Sequence, residues 1–365
     1  MGRTSGDDED WASVMRRAKT RHRPRLKDWS RDGFATTRSS EFESLAAGRC
    51  EGEGAERVCR LDYGVLCAAA FARDYELTST PVIVRDVPAR EGWSAAGWSY
   101  DGFFGDSAFR GLRMKCGEDD DGRTIRVTLK DFATYAAQDC MGDDSPLYVF
   151  DGGFGDRAGR EAVVGAFRAP TFCGRDDLFE LVGGRRRPPH RWLLVGPRRS
   201  GTCAHVDPLG TSAWNTLLTG RKRWVLFEPG TSRHVAKGSR LYDPRVEDDE
   251  AINYFVDILP RIRAAYPEAR RVECIQEPGE TIFVPGGWWH AVINLEDTIG
   301  VTQNFASRGN FDDVWDRARV GRRSMARTWL AALEAHGDPE IRRLAGRAAM
   351  HRPPFPSKSR KRKLH

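Results

Sequence analysis

Apolar positions along the chain follow two patterns: short runs broken by turn residues through its middle, and helical spacing towards its ends. Arg191–Val195, Ser212–Leu218, Lys222–Phe227, Glu273–Gln276, Thr281–Val284, His290–Leu295 and Thr298–Asn304 read as a dense series of strands. Thr219-Gly-Arg221, Glu277-Pro-Gly-Glu280 and Pro285-Gly-Gly287 supply turn chemistry between them, the first as a hairpin leading into Lys222. Further upstream, Pro81–Val84, Arg123–Leu129 and Leu147–Phe150 predict three more strands. Leu61, Val65, Leu66, Ala69, Ala70 and Phe71 recur at helical spacing and predict a helix over Leu61–Tyr75; Asp177–Val182 predicts a shorter one. From Phe311 onward the pattern is helical again, with Val314, Trp315, Ala318, Trp329, Leu330 and Leu333 as its apolar positions.

Many short strands with few helices between them predict a mainly β fold, an antiparallel sandwich or barrel of which the double-stranded β-helix (cupin, jelly-roll) is one form, with helical N- and C-terminal extensions. We divide the chain into a charged, partly disordered extension (1–55), a helix-and-strand region leading into the core (56–140), the β domain (141–308), C-terminal helices (309–349) and a basic tail (350–365). Trp11, Trp29 and Phe34 are spaced too widely to give the first segment a core of its own. Trp315 and Trp329, read as exposed, make the C-terminal helices either a candidate homodimer surface or a cap on the core.

Composition changes this picture only at the ends. The 365 residues carry 58 Lys and Arg against 52 Asp and Glu, a formal net charge of +6, but the basic residues bunch at 16–27 and 358–363. Such runs suit nuclear import or a loose contact with RNA or another nucleic acid, so a nuclear protein is expected. Eight cysteines without a C-x-x-C pair argue for reduced thiols inside the cell and against a structural zinc module. No apolar run approaches the ~20 residues that span a bilayer, so no membrane partner is expected. Gly196-Pro-Arg-Arg-Ser-Gly201-Thr202 lacks the lysine of a phosphate-binding loop, and Gly117–Gly122 lacks the first ligand of a calcium loop.

His205-Val-Asp207 places two ligand-type side chains at i and i+2, on one face of a strand. His290, at the end of the apolar string Val284-Pro-Gly-Gly-Trp-Trp-His290, is the candidate third ligand; its plain alternative is a hydrogen-bonded core histidine. Two histidines and one carboxylate on one face of an octahedral ion leave the opposite face open, the arrangement of non-haem iron(II) oxygenases.

Longer strings around these residues carry a resemblance. Gly201-Thr-Cys-Ala-His205-Val-Asp207-Pro-Leu-Gly-Thr-Ser-Ala-Trp-Asn215, Gly220-Arg-Lys222-Arg-Trp224, Pro278-Gly-Glu-Thr-Ile-Phe-Val-Pro-Gly-Gly-Trp-Trp-His290 and Thr302-Gln-Asn-Phe-Ala306 closely resemble the jumonji-C (JmjC) family of iron(II)- and 2-oxoglutarate-dependent oxygenases. With Lys115–Gly122 and Asp144–Asp151 they look most like its bifunctional arginine demethylase and lysyl hydroxylase branch, over residues from about 60 to about 330. The resemblance implies iron(II) held by His205, Asp207 and His290, molecular oxygen as oxidant, and 2-oxoglutarate as co-substrate. It implies that Lys222 meets the distal carboxylate of 2-oxoglutarate, although by composition alone Lys222 reads as an exposed strand-end residue. It also implies that Asn215 and Thr302 add hydrogen bonds and that Thr202 lines the adjoining pocket. One departure stands out: Phe132 falls where the branch is read to carry a tyrosine, which would remove one hydroxyl donor to the co-substrate. The implied substrates are lysine or methyl-arginine side chains in basic protein segments, such as histone tails or Arg/Ser-rich proteins. The acidic stretches Glu118–Asp121 and Glu247–Glu250 are candidate attractors for them. The alternatives are a non-catalytic module binding RNA or chromatin, and an oxygenase whose substrate is RNA.

Overall fold

The computed structural model describes residues 10–48, 55–118, 124–156, 159–173, 177–184 and 186–350. The basic run 358–363 and the acidic residues 119–121 lie outside these. Fourteen strands run through the described residues: β1 (Ala55–Arg57), β2 (Cys59–Asp62), β3 (Val82–Arg85), β4 (Arg113–Glu118), β5 (Thr124–Thr128), β6 (Val149–Asp151), β7 (Arg191–Gly196), β8 (Gly201–His205), β9 (Ser212–Thr219), β10 (Lys222–Phe227), β11 (Arg271–Gln276), β12 (Thr281–Val284), β13 (Trp289–Asn294) and β14 (Thr298–Phe305). They form a sheet of order β1-β11-β10-β13-β8 and a larger one of order β2-β3-β12-β9-β14-β7-β6-β4-β5. From β7 to β10 and from β11 to β14 the chain crosses between the sheets at nearly every step. That winding is the double-stranded β-helix the strand pattern predicted.

One predicted connection differs. Thr219-Gly-Arg221 does not close a hairpin: β9 lies in the large sheet and β10 in the small one, so this turn carries the chain across. Gly220, at φ 76°, sits against the carbonyl of Asp297, where an added Cβ would meet it at 2.2 Å. Both strands are buried on both faces, so neither shows the polar alternation that would have assigned it to a layer.

Period-two alternation divides each strand between chamber and shell. On β10, Val225 and Phe227 face a layer containing Ile252, Phe255, Ile258, Leu259 and Ile262, while Trp224 and Leu226 pack inward. Those five residues belong to a continuous helical stretch, Ala251–Asn253, a π turn Tyr254–Ile258 and Leu259–Ala265, which the sequence reading did not assign. Pro260 in its last segment obscures the pattern. The predicted helix Leu61–Tyr75 is instead a strand end, a short turn and a helix Ala68–Phe71 that widens into a π turn over Ala72–Glu76. Asp177–Val182 forms a 3-10 helix over Leu178–Val182, with the Asp177 carboxylate capping Phe179 N–H.

The N-terminal extension has no core of its own and docks on the main body. Met15 and Ala18 of the helix Trp11–His22 are buried in the large cluster, and Phe34 and Phe42 in the layer over the small sheet. Charge pairs reinforce the docking: Lys19 to Asp143 at 2.7 Å, Arg38 to Asp257 at 2.6 Å, and the Asp144 carboxylate accepting the backbone N–H groups of Asp32, Gly33 and Ala35. Among the described residues no helix is long and apolar enough to cross a membrane.

Helices Phe311–Gly321, Arg323–Glu334 and Pro339–Met350 build a separate cluster. Here the sequence expectation is corrected. Trp315 and Trp329 are not exposed: both are buried, their rings 5.9 Å apart, with Trp329 also against Phe179 and Phe311. Their apolar area closes the chain's own helical cap. Trp329→Ala should therefore destabilise the protein by about 3–5 kcal/mol, the cost of emptying a filled core site; equilibrium denaturation would read it.

Candidate active site

The small sheet brings the metal-type side chains together by strand pairing. β13 runs antiparallel to β8 with His290 opposite His205, and the ladder shifts register immediately afterwards, between His290 and Val292. Irregularities of this kind re-aim side chains beside functional sites. The two imidazole rings lie 4.2 Å apart between centroids. β8 ends at His205, but Asp207 keeps an extended backbone (φ −56°, ψ 146°) before Pro208 opens a 3-10 turn, so its carboxylate returns to the same face. Its Oδ1 lies 3.9 Å from Nε2 of each histidine. Among the described residues these three side chains form the metal-type cluster, their donor atoms within 4.8 Å of one another.

Each histidine turns Nδ1 to a backbone carbonyl two residues earlier: His205 to Cys203 at 2.8 Å and His290 to Trp288 at 3.2 Å. Donation from Nδ1–H fixes the tautomer and leaves the Nε2 lone pair aimed at the cluster centre. Burial, with His205 close by, pushes the His290 pKa down to about 4, so the neutral ring is ready to ligate at physiological pH. The donor set suits an ion bound at about 2.1 Å that takes imidazole and carboxylate together.

The cluster sits in a cavity of about 720 Å³ between the sheets. Asn215, Lys222 and Thr302 line it with the triad, and Thr202 joins them from β8, so the structure brings all seven sequence-predicted residues to one chamber. Asn215 and Thr302 are cross-strand neighbours on β9 and β14. Thr302 Oγ1 donates to the Trp214 carbonyl at 2.7 Å, and Asn215 Oδ1 is buried without a hydrogen-bond partner. Lys222 lies across from Asn294 and Gln276 and is buried. Room for its ammonium depends on Gly300, where a Cβ would stand 3.1 Å from Nζ. Burial alone pulls the Lys222 pKa down to about 7, with no carboxylate offsetting it. A buried cation with no carboxylate beside it, facing this cavity, fits an anionic organic acid.

Comparison with known proteins agrees with this geometry. Residues 192–305 match the JmjC domain, hydroxylase family. The bifunctional arginine demethylase and lysyl-hydroxylase psr-1 of Caenorhabditis elegans is 39% identical over 319 residues, covering 87% of this chain and 76% of that protein. This chain belongs to the JmjC family. More distant JmjC relatives include the arginine-specific demethylase JMJ22 of Arabidopsis thaliana, 37% identical over 52% of this chain and 36% of its own length. The 2-oxoglutarate and iron-dependent oxygenase JMJD4 of Danio rerio is 33% identical over 41% and 34%, respectively. The chain is thus an iron(II)- and 2-oxoglutarate-dependent oxygenase.

In this JmjC chamber one sequence expectation changes and two wall residues are added. Phe132 is fully buried on the helix Leu129–Ala137, against Phe104 and Tyr135, and does not reach the cavity. Its lack of a hydroxyl therefore takes nothing from the chamber. Tyr148, which the sequence reading missed, lines the wall instead. The signal was present: in Leu147-Tyr-Val-Phe150, Leu147 and Val149 are buried in the core, so alternation turns Tyr148 and Phe150 to the other face. The same rule exposes Trp192 of β7, whose ring stacks on Phe150 at 6.2 Å and 26°. Trp192 lies so close to Gly152 that a Cβ there would stand 2.3 Å from its Nε1.

The acidic stretch Glu247–Glu250 is also not a free lure for basic peptides. Glu247 pairs with Arg261 at 2.6 Å, Asp248 with Arg23 and Arg31, Asp249 accepts from Tyr242, and Glu250 accepts from Ser145. These carboxylates hold the N-terminal segment and the neighbouring loops in place.

The triad makes a direct prediction. His205→Ala or Asp207→Ala should weaken iron(II) binding by roughly a hundredfold or more, since loss of a supporting shell residue alone costs 10–100-fold. Metal content after dialysis against a chelator of known affinity would read it, with the circular dichroism spectrum unchanged.

Proposed function

We propose that the chain hydroxylates lysine side chains or removes methyl groups from arginine in proteins, with the seven chamber residues divided between metal and co-substrate. The observation that carries this reading is the juxtaposition of the His205–Asp207–His290 cluster with a buried, uncompensated Lys222 in one cavity. Iron(II) with 2-oxoglutarate and oxygen supplies the oxidation of an unactivated C–H bond. His205, Asp207 and His290 would hold the ion. Lys222 would meet the distal carboxylate of 2-oxoglutarate, with Asn215, Thr302, Thr202 and Tyr148 as polar neighbours along the same walls. Asn215 can present its amide N–H₂ to a carboxylate without adding charge.

The substrate class rests on two observations. Relatives are named for arginine demethylation and lysyl hydroxylation. One wall of the chamber carries the stacked aromatic rings of Trp192 and Phe150. Aromatic faces hold alkylated or cationic side chains through cation–π attraction while excluding water. Oxidation at a lysine carbon leaves a stable alcohol, and oxidation at an N-methyl carbon leaves an adduct that loses formaldehyde, so one chamber serves both reactions. The basic run 358–363, outside the described residues, supports nuclear residence; fluorescence imaging of the chain with and without it would test this.

Two outcomes are expected. Purified protein given iron(II), 2-oxoglutarate and lysine- or methyl-arginine-bearing peptides should release succinate with a mass gain of one oxygen, or formaldehyde; no peptide modification across a broad panel would reject the reading. Lys222 gives the second. A dianion beside it favours the ammonium, so the pKa of about 7 rises on binding. Binding of 2-oxoglutarate should then take up a proton above pH 7, and affinity should fall as pH rises from about 7 towards the liganded pKa. Calorimetry in two buffers of different ionisation enthalpy would detect the uptake, and Lys222→Ala should abolish it while raising the 2-oxoglutarate KM by roughly a hundredfold.

A further inference from the structure

Asn294 lines the catalytic chamber and has no part in the division of residues proposed above. It lies on β13, four residues after His290, and with His290 and Val292 it faces the same cavity, as period-two alternation requires. In the ladder between β13 and β10 it stands directly opposite Lys222. Side chains opposed in an antiparallel pair share a face with their Cβ atoms about 5 Å apart, so the ends of these two lie within reach of each other. Asn294 is 3% exposed.

The amide has one orientation. Its Nδ2 donates to Ser200 Oγ at 2.9 Å, and that hydroxyl donates its own proton to the Pro197 carbonyl, so it can only accept from Asn294. Oδ1 is therefore the end left over, and among the described residues it has no hydrogen-bond partner. The backbone is held as firmly. The N–H of Asn294 donates to the Ser200 carbonyl at 2.8 Å, and its carbonyl accepts from the Arg199 N–H at 2.9 Å. Arg199 takes φ 71°, a left-handed value that a long side chain adopts only where its surroundings impose it. Here they do: its buried guanidinium donates to the carbonyls of Cys140, Met141 and Asp143. Gly196 completes the clamp, since a Cβ there would stand 2.6 Å from Asn294 Nδ2 and 2.7 Å from Ser200 Oγ.

The group opposite this fixed acceptor is a donor in the complementary condition. The Lys222 ammonium forms no hydrogen bond or ion pair among the described residues. Its other strand neighbours are neutral and engaged or empty. Gln276 on β11 donates to the carbonyls of Asn215 and Glu280 and accepts from Trp224 Nε1, while Gly300 on β14 only makes room. The carboxylates of the cavity are placed elsewhere, Asp207 beside the two histidines and Asp151 against Arg126 at 3.1 Å. An amide oxygen aimed at a dicarboxylate would repel it. Aimed at an ammonium, it holds one of three N–H groups and leaves two for the anion.

We infer that Asn294 is a positioning residue, its Oδ1 accepting one N–H of the Lys222 ammonium and so directing the other two at the distal carboxylate of 2-oxoglutarate. The inference rests on the assignment of Lys222 to that carboxylate, and the test separates the two.

The full chain, loaded with iron(II) in the absence of oxygen, is titrated with 2-oxoglutarate by calorimetry at about pH 8, above the Lys222 value of about 7. Asn294→Leu should weaken binding by about tenfold, the scale of one hydrogen bond to a charged group. In a chain that already carries Lys222→Ala, the same substitution should change affinity by less than about twofold, because the group it acts through is gone. Asn294→Asp, nearly isosteric with the native residue, serves even if the leucine variant does not fold. Its carboxylate would keep Lys222 protonated before the co-substrate arrives, so the proton uptake on binding should disappear while affinity falls. Uptake unchanged in Asn294→Asp, or a loss from Asn294→Leu that is the same with and without Lys222, would overturn the proposal and leave the Lys222 assignment standing. Full affinity in Lys222→Ala alone would reject that assignment, and the role of Asn294 with it.

Discussion

The pairing of β8 with β13 is the constraint on which the chamber depends. It places His205 opposite His290, two residues from well-separated parts of the chain, and it shifts register between His290 and Val292 before resuming at Thr202 and Gly201. β8 ends at His205, which frees the extended Asp207 to turn its carboxylate back towards both rings. Each histidine then uses Nδ1 on a carbonyl of its own strand, at Cys203 or Trp288, so the strand that positions the ring also sets its tautomer. Backbone geometry, side-chain orientation and protonation state are thus determined by one local arrangement. The layers around it keep that arrangement rigid: the Ala251–Ala265 helical stretch covers the small sheet, and the C-terminal helices close their own core around Trp329.

How much of this was legible in the sequence depends on which faces a segment buries. The strands Lys222–Phe227 and Thr281–Val284 have the limits that the apolar runs suggested, because turn residues bound them sharply. The metal cluster was readable because H-x-D and the string ending at His290 are chemically unusual. The sheet to which each strand belongs was not readable. β9 and β10 are buried on both sides, so the alternation that distinguishes a hairpin from a crossover is absent, and Thr219-Gly-Arg221 suits either.

Other misses had readable signals. Ile252, Phe255, Leu259 and Ile262 recur at helical spacing, but Pro260 among them suggested a break; in the fold it opens the helical segment that follows a π turn, where a missing N–H is tolerated. Tyr148 was hidden behind an alignment that pointed to Phe132, although alternation in Leu147-Tyr-Val-Phe150 already separated a core pair from a chamber pair. Trp315 and Trp329 illustrate the reverse error. Large aromatics on terminal helices resemble an exposed interface until the third helix, Pro339–Met350, is placed against them.

Charge gives the chamber its selectivity for a complete set of ligands. Lys222 is buried without a carboxylate, an arrangement that costs stability unless an anion arrives. On the proposed reading, a divalent ion and Lys222 together would contribute three positive charges and Asp207 one negative, and the two carboxylates of 2-oxoglutarate would supply the rest. Neither ligand alone neutralises the cavity, so each should favour the other's binding through the field they share.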